Sequence, residues 1–203
     1  MAVIAPAVEI DAGTTEHLLI RKGQSYRDFL LAVEEYPQFR VEFIDGEVAM
    51  APAPVPYHQI IANNLSWVFN QYVRENKLGK VLPAPVDVEL SAGARIVEPD
   101  FIFVAQTRVA ALVGEKRITG APDLIVEILS PATAHRDRHV KLPLYATSGV
   151  AEYWIVDPDS KAVEVYILDG DTYRVAGIFV ENEQISTGRF APAAIPVNNI
   201  FER

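Results

Sequence analysis

The sequence predicts an α/β (α+β) domain in which helices flank a mixed central β-sheet. Two observations lead to this prediction. A long amphipathic pattern of helical period is followed by three strand-like runs, and then by a second helical pattern and a further strand. The chain has 203 residues, of which 50% are hydrophobic, so it can bury a sizeable core within one domain.

The composition excludes several classes of function. The sequence contains no cysteine, which rules out disulfides, cysteine-ligated zinc and a thiol nucleophile, and is compatible with a cytoplasmic protein. No run approaches the roughly 20 apolar residues of a membrane span, and the short apolar start lacks the basic region of a signal peptide, so no membrane partner is expected. The net charge of −9 argues against a general nucleic-acid binder. It still permits a nuclease, because carboxylates that hold a metal ion add negative charge.

The first part of the chain predicts a helix followed by a hairpin. Residues 1–20 are expected to form a loosely attached arm, and residues 21–203 a single domain. Ser25 is expected to cap a helix that ends near Glu35, because apolar residues recur at helical spacing between them. The pair Asp45-Gly46 separates two alternating runs, which is a strong hairpin signal.

The middle of the chain predicts the long helix and two strands. The helix runs from Tyr57 to about Asn76, and its broad apolar face indicates central packing. Strands are expected over Val81–Leu90 and Ile96–Ala105. Pro99 cannot donate to a sheet ladder, so it is expected at an edge, a bulge or the start of a strand.

The last part of the chain predicts a third strand, a helix, a fourth strand and a β-meander. Pro143 is expected to distort the helix or shift its start. The elements are Asp123 to Leu129, Ala134 to Ser148, Glu152 to Asp157, and then Ala162 to Leu168 and Thr172 to Phe179.

Glu127 is the most informative residue of the sequence, because it lies within the apolar run from Leu124 to Leu129. An ionised carboxylate in a buried strand is costly unless it is paired, hydrogen-bonded or bound to a metal ion. One interpretation is a core strand whose glutamate pairs with Lys141. The other is a metal-dependent active site, which requires a second acidic strand nearby. Asp100, just before the apolar run Phe101 to Val104, supplies that strand.

Several other residues have two interpretations. Glu42 is either an additional or outer metal ligand or a solvated strand carboxylate, and His58 either contacts phosphate or water or caps the long helix. Asp137, Lys141 and Tyr145 share one helical face, which fits an ion pair with a packed tyrosine or a stripe facing the site.

A further group of residues also has explanations that need no site. Arg136, Arg138 and His139 fit contacts to a nucleic-acid backbone or a solvated helix face. For Asp87 a solvated face is the better explanation, and Tyr153 and Trp154 are expected in the core.

An ordered set of motifs carries a resemblance to a known family. The set is Val41-Glu42 with Asp45-Gly46-Glu47, His58, Glu98-Pro99-Asp100, the run from Gly120 to Pro131, Asp137, Lys141, Tyr145, Gly149-Val150 and the run from Glu152 to Pro158. With these motifs the chain resembles the PD-(D/E)XK nuclease fold and, more narrowly, the Uma-two family of restriction endonuclease-like proteins. The resemblance covers about residues 25 to 180 and implies a restriction-endonuclease-like core.

The sequence departs from the wider superfamily pattern in one position. In that pattern the lysine follows the second acidic residue by two positions on the same strand, and here that position is Leu129. Lys141, on the following helix, resembles a catalytic lysine that has moved. It must then reach back over the end of the strand that carries Glu127, which its long flexible side chain permits.

The resemblance implies a metal-dependent endonuclease that hydrolyses phosphodiester bonds of nucleic acid, with DNA as the expected substrate. Asp100 and Glu127 would hold one Mg²⁺ or Mn²⁺, and the backbone carbonyl of Ile128 would be another ligand. Lys141 would orient the attacking water or neutralise charge on the phosphate. Glu42 and His58 are additional candidate catalytic residues.

Two expectations concern partners. Cleavage of a duplex is easiest for a dimer that presents two sites, so we expect a homodimer, with the β-meander after Asp157 as its interface. The alternative function is a non-catalytic, oligomeric interaction module that retains the nuclease fold.

Overall fold

The computed structural model describes residues 18–203. These residues form an N-terminal six-stranded sheet, a central six-stranded sheet and a two-stranded ribbon, with helices against the sheets. The strands are β1 (Leu19–Lys22), β2 (Arg40–Ile44), β3 (Glu47–Ala51), β4 (Gly79–Pro83), β5 (Val88–Ser91), β6 (Arg95–Val97), β7 (Phe101–Ala105), β8 (Ile118–Thr119), β9 (Leu124–Ile128), β10 (Glu152–Asp157), β11 (Ala162–Asp169), β12 (Thr172–Val180), β13 (Gln184–Ile185) and β14 (Ile195–Pro196).

The helices lie mainly against the two large sheets. They are α1 (Tyr26–Glu35), α2 (Pro56–Glu75), α3 (Gln106–Leu112), α4 (Ala134–Arg136), α5 (Leu142–Thr147) and α6 (Val197–Phe201), with a π-helical segment at Asp137–Lys141 and a 3₁₀ turn at Ala191–Ala193. The predicted α/β class with mixed sheets flanked by helices is confirmed.

The central sheet has the strand order β12-β11-β10-β9-β7-β4. Strands β9 and β10 are parallel and the other neighbours are antiparallel, so the sheet is mixed. Helix α2 covers one face, where Leu65 and Phe69 are fully buried against Phe101 and Trp154. On the other face Tyr145 of α5 packs in a core cluster with Ile125 and Tyr153. Burial on both faces explains the nearly continuous apolar sequence of β9.

The N-terminal sheet has the order β1-β3-β2-β6-β5-β8 and includes the predicted hairpin. Asp45 and Gly46, between β2 and β3, both have positive φ angles, of 48° and 86°. Two such residues form the tight turn that matches the twist of a hairpin. Helix α1 begins as predicted, because Ser25 and Asp28 form a reciprocal capping box.

Two predicted strands are wrong, because each of them divides between the two sheets. Val81–Leu90 contains most of β4 of the central sheet and most of β5 of the N-terminal sheet, and Ile96–Ala105 contains most of β6 and all of β7. Pro85 and Pro99 lie at these divisions. Because proline has no N–H to donate to a ladder, each one interrupts its strand and the chain crosses from one sheet to the other.

The helix predicted over Ala134 to Ser148 is distorted, as Pro143 indicated. It consists of α4, the π-helical segment and α5. Pro143 has no N–H, so it cannot form the α-helical bond to the carbonyl of His139. Segments of π-helix inside α-helices occur frequently at functional sites.

The two ends of the chain add corrections. Most of the predicted arm, residues 1–17, lies outside the described residues, but Leu19 and Ile20 belong to β1, which pairs with β3. The predicted meander is present as β10, β11 and β12. The prediction missed α6, whose Ile200 and Phe201 are buried in the same cluster as α2. Over residues 18–203, no helix has both the length and the hydropathy that crossing a membrane requires.

Candidate active site

A cavity of about 540 Å³ opens where the two large sheets meet. It is lined by residues of β2, β9, the start of α2, the π-helical segment and the loops that join them. All six residues that the sequence singled out for a site line this cavity: Glu42, His58, Asp100, Glu127, Ile128 and Lys141. These six residues come from five separate parts of the fold, so the sequence order alone does not bring them together.

Asp100 lies directly before β7 and next to Glu127. The register of β7 and β9, with Phe101 opposite Val126, brings the two acidic residues together. The carboxylate of Asp100 accepts a hydrogen bond of 2.7 Å from the backbone N–H of Ile128 and pairs with Arg40 at 2.8 Å and with His58 at 3.2 Å. Burial alone would raise its pKa, but the bond from His58 and the charge of Arg40 hold the pKa well below its ordinary value. Asp100 is therefore an anion at neutral pH.

Glu127 is 2% exposed and lies in the middle of β9. Its Oε1 accepts hydrogen bonds from Lys141 Nζ at 3.0 Å and from the Tyr145 hydroxyl at 2.6 Å. Burial, together with the negative charges of Asp137 and Asp100, raises the pKa of Glu127 to about 8, although Lys141 opposes this shift. The raised pKa of Glu127 therefore reflects mainly its removal from water.

Lys141 reaches back over the end of β9, which is the geometry that a moved lysine requires. Its Nζ lies 2.8 Å from Glu42 Oε1, 3.0 Å from Glu127 Oε1 and 3.3 Å from Asp137 Oδ1. Burial lowers the pKa of a lysine, but the surrounding carboxylates raise the pKa of Lys141 well above its ordinary value. Lys141 is therefore a buried cation shared by three acidic residues. Asp137 and Lys141 line the cavity and form an ion pair, whereas Tyr145 is packed in the core and only its hydroxyl reaches Glu127.

Glu42 belongs to the site and not to a solvated strand face. It is 5% exposed, accepts a bond from the backbone N–H of Glu98 at 3.2 Å, and pairs with Lys141 and Arg136. Although burial disfavours its charge, these two cations lower the pKa of Glu42. Because Glu42 is on the N-terminal sheet and Glu127 is on the central sheet, Lys141 connects the two sheets.

His58 lies in the first turn of α2 and is buried. Its Nε2 contacts Asp100 Oδ2 at 3.2 Å, and its Nδ1 has no hydrogen-bond partner in the described part of the chain. The residue therefore contacts the acidic group of the site, and it makes no capping bond at the start of the helix.

Two arginines of the site were not identified from the sequence in this role. Arg40 Nε lies 3.0 Å from Glu98 Oε1, while its Nη1 holds Asp100. Arg136 is 4% exposed and pairs with Glu42 and Glu47, so a solvated helix face is wrong for this residue. The position of Arg40 two residues before Glu42 could have identified it. Residues two apart on a strand point to the same face of the sheet, so Arg40 and Glu42 share a face.

The remaining candidates lie apart from the cavity. Arg138 pairs with Glu164 at 2.6 Å on a partly exposed face. Asp87 lines a separate depression and is about half-buried, so it is less solvated than expected, and burial raises its pKa. Tyr153 and Trp154 are fully buried, as predicted.

The oxygen atoms at Asp100, Glu127 and Ile128 have the chemistry that Mg²⁺ and Mn²⁺ prefer. Both hydrogen bonds to Glu127 use Oε1, and within residues 18–203 no hydrogen bond reaches Oε2. Across the same residues no group of three or more His, Asp or Glu side chains is arranged as a metal cluster. The fit therefore consists of two carboxylates and one carbonyl, and water must complete the coordination.

Comparisons with known proteins give a family and a structural neighbour for the chain. A family model described as "Putative restriction endonuclease" (Uma2) matches residues 7–197. A crystal structure from Anabaena variabilis ATCC 29413, described as "a putative nuclease belonging to DUF820", has 22% sequence identity and a TM-score of 0.65, and the match covers 79% of this chain and 89% of that one. This likeness shows the fold. No curated protein matches the chain. The chain belongs to the Uma2 family of restriction endonuclease-like proteins.

Proposed function

We propose that this protein is a divalent-metal-dependent endonuclease that hydrolyses phosphodiester bonds of DNA. The observation that carries the proposal is the meeting of Asp100, Glu127 and Lys141 in one cavity, with the lysine on Glu127 although it comes from the following helix. Asp100, Glu127 and the carbonyl of Ile128 would hold Mg²⁺ or Mn²⁺. Membership of a family of restriction endonuclease-like proteins supports the same reaction class.

The residues of the chain have distinct tasks in this proposal. A bound ion would polarise the scissile phosphate and lower the pKa of the attacking water. Arg40, His58 and the N–H of Ile128 fix the orientation of Asp100 before any ligand arrives. Lys141, which is charged at neutral pH, orients the water or neutralises charge on the phosphate, and Glu42 positions Lys141.

One observation favours a second function, a non-catalytic interaction module that retains the fold. Arg40 forms an ion pair with Asp100, and Lys141 forms ion pairs with Glu42 and Glu127. The buried charges are therefore already largely paired within the chain. Such a network is also what a site that has lost its metal ion would keep as structure.

The test is cleavage of supercoiled plasmid and of single-stranded DNA with Mg²⁺ or Mn²⁺. The wild type is compared with Glu127→Gln and Lys141→Ala, and thermal unfolding with added metal is compared with Asp100→Asn. Metal-dependent cleavage that disappears in both variants supports the enzyme and the role of the lysine. If cleavage is lost only in Glu127→Gln, the metal site is supported and Lys141 has no part in cleavage. A folded wild type with neither cleavage nor metal-induced stabilisation makes the interaction module the better interpretation.

We also propose a homodimer formed through β12. This strand lies at the edge of the central sheet, so within residues 18–203 no strand pairs with its outer side, and Val175, Ile178 and Val180 are exposed on it. Two copies of β12 that pair antiparallel would satisfy both edges. Light scattering after gel filtration should show a dimer for the wild type and a monomer for Ile178→Lys. A monomeric wild type at working concentration removes this proposal.

A further inference from the structure

The exposed face of α2 has an unusual composition for this acidic protein. The chain carries 27 acidic residues, yet no Asp or Glu occurs between Glu47 and Glu75, and α2 lies within this interval. Between Gln59 and Arg74 its exposed positions carry three amides, two large apolar side chains and one cation: Gln59, Asn63 and Gln71, Ile60 and Trp67, and Arg74. A polyanion that approaches the protein meets no carboxylate on this helix before Glu75, so like-charge repulsion is smallest here.

Trp67 is the most exposed large apolar side chain of this face, with 63% of its surface accessible. It lies in a shallow depression with Asn63, Ser66, Asn70, Gln71 and Arg74. A protein interface centred on a tryptophan normally has further apolar or aromatic residues around it. The ring of amides, hydroxyl and guanidinium around Trp67 instead matches the groups that stack on a nucleobase and bond its edges and phosphates.

The Trp67 depression adjoins a second depression that reaches residues of the candidate active site. This second depression is lined by Arg40, His58 and Asp100 of the site and, along the helix, by Gln59, Asn63 and Ser66. Asn63 and Ser66 also line the Trp67 depression, so the two share part of their walls. The shared residues give a strand of nucleic acid a route along α2 between the second depression, which is also lined by Pro83 and Ala84, and Trp67.

We propose that the exposed face of α2, from Gln59 to Arg74, binds an unpaired, single-stranded stretch of the nucleic-acid substrate, with one base stacked on Trp67. This inference rests on the proposed nuclease function and names the form of the substrate. His58 and Trp67 are nine residues apart, which is about 14 Å along a helix. About four stacked nucleotides span that distance at 3.4 Å each. The side chain of Trp67 can stack on an unpaired base, because a base inside a duplex is already stacked on its neighbours.

The test measures the binding of oligodeoxythymidylates of 3 and 12 nucleotides to the full chain carrying Glu127→Gln. The oligonucleotides carry fluorescein, and their fluorescence anisotropy is measured in the presence of Mg²⁺. Adding Trp67→Ala should weaken binding of the 12-mer roughly 10-fold and leave the 3-mer unaffected, while Trp67→Phe should retain most of the affinity. Leu31→Ala, an exposed apolar position on α1, is the matched control and should change nothing. The 12-mer should also quench tryptophan fluorescence, and Trp67→Phe should abolish the quenching, because the other tryptophan, Trp154, is fully buried.

A small substrate separates this inference from the proposed function. Bis(p-nitrophenyl) phosphate is too short to reach Trp67, so Trp67→Ala should hydrolyse it at the wild-type rate while losing roughly 10-fold in kcat/KM on single-stranded DNA. If no phosphodiester is hydrolysed but the 12-mer still binds through Trp67, the binding surface stands and the enzyme does not.

Three results would overturn the inference. The first is a wild type that hydrolyses DNA and a Trp67→Ala variant that binds and cleaves DNA as well as the wild type does. The second is a duplex of 12 base pairs that binds more tightly than the single strand with the same dependence on Trp67. The third is a dimer that becomes monomeric in Trp67→Ala without any change in oligonucleotide binding, which would make this face a contact between copies of the chain.

Discussion

Two buried glutamates lie on neighbouring parallel strands of the central sheet, Glu127 on β9 and Glu152 on β10. Each oxygen of Glu152 has its own donor: Oε1 accepts from the indole N–H of Trp154 at 2.6 Å, and Oε2 accepts from the backbone N–H of Arg189 at 2.7 Å. In Glu127 both donors, Lys141 and Tyr145, bind the same oxygen. Within residues 18–203 the other oxygen of Glu127, Oε2, accepts no hydrogen bond.

The space around the two carboxylates also differs. A β-carbon added at Gly188 would collide with the carboxylate of Glu152, so the backbone of Gly188 packs directly against this carboxylate. Glu127 lines a cavity of about 540 Å³. Burial raises the pKa of both residues, so neither burial nor the direction of the pKa shift distinguishes Glu127 from Glu152. The two differ in the distribution of their hydrogen-bond donors and in the open space beside Glu127.

The largest effect should come from removing the cation of the Glu127 cluster. Lys141→Met leaves Glu42, Glu127 and Asp137 buried without their shared counter-charge, and we expect a loss of about 3–5 kcal/mol in the free energy of unfolding at pH 7. Urea unfolding measures this loss. Lys161→Met, which removes an exposed pair with Glu181, should barely move the unfolding midpoint. Equal effects of the two substitutions would contradict the buried network.

The pH dependence of stability should separate Glu127 from its surroundings. Because the folded-state pKa of Glu127 is about 8 and its ordinary value is 4.5, the folded protein binds more protons than the unfolded one between these pH values. Stability therefore falls as the pH rises through this window, by on the order of 1–4 kcal/mol between pH 5 and pH 8. Urea unfolding in EDTA should show this fall in the wild type and a weaker one in Glu127→Gln. Parallel profiles would mean that Glu127 ionises at its ordinary pKa.

The two glutamates should respond in opposite ways to the same substitution. Glu152→Gln places an amide NH₂ against one of two buried donors and should cost about 1–3 kcal/mol of stability, while the thermal shift caused by Mn²⁺ remains. Glu127→Gln should keep the metal-free stability near that of the wild type at pH 7 and lose the Mn²⁺ shift. A Mn²⁺ shift that survives in Glu127→Gln places the metal elsewhere.

The smallest effect should come from the second donor to Glu127. Tyr145→Phe removes the 2.6 Å bond to Oε1 but keeps the packed ring, so we expect a loss of about 1 kcal/mol in unfolding free energy with cleavage and the Mn²⁺ shift retained. Tyr166→Phe, whose hydroxyl contacts the partly exposed Glu164, is the matched control and should cost less. Abolished cleavage in Tyr145→Phe would give the hydroxyl a role in the reaction itself.

Local patterns predicted much of this fold because they reflect local physics. The capped helix α1, the Asp45-Gly46 hairpin and the distortion at Pro143 each follow from a few neighbouring residues. The division of Val81–Leu90 between two sheets could not be predicted in this way, because alternation shows which side chains share a face and not which strand pairs with which. Pro85 was the available signal.

The site was predictable where the sequence breaks its own pattern. Glu127 is conspicuous as a charge in an apolar strand, and it required a cation, which identified Lys141. Arg40 and Arg136 were harder to assign, because arginines are mostly exposed and their burial depends on carboxylates from other elements. The catalytic and metal-binding roles of the site residues remain predictions.

The position of the site between the sheets has a consequence for how the protein unfolds. Lys141 joins Glu42 of the N-terminal sheet to Glu127 of the central sheet, and Arg40 joins the first sheet to Asp100, beside the second. The chain also crosses between the sheets at Pro85 and Pro99. Separating the sheets must break these contacts together, so we expect the backbone amides of both sheets to exchange with solvent deuterium in one cooperative opening.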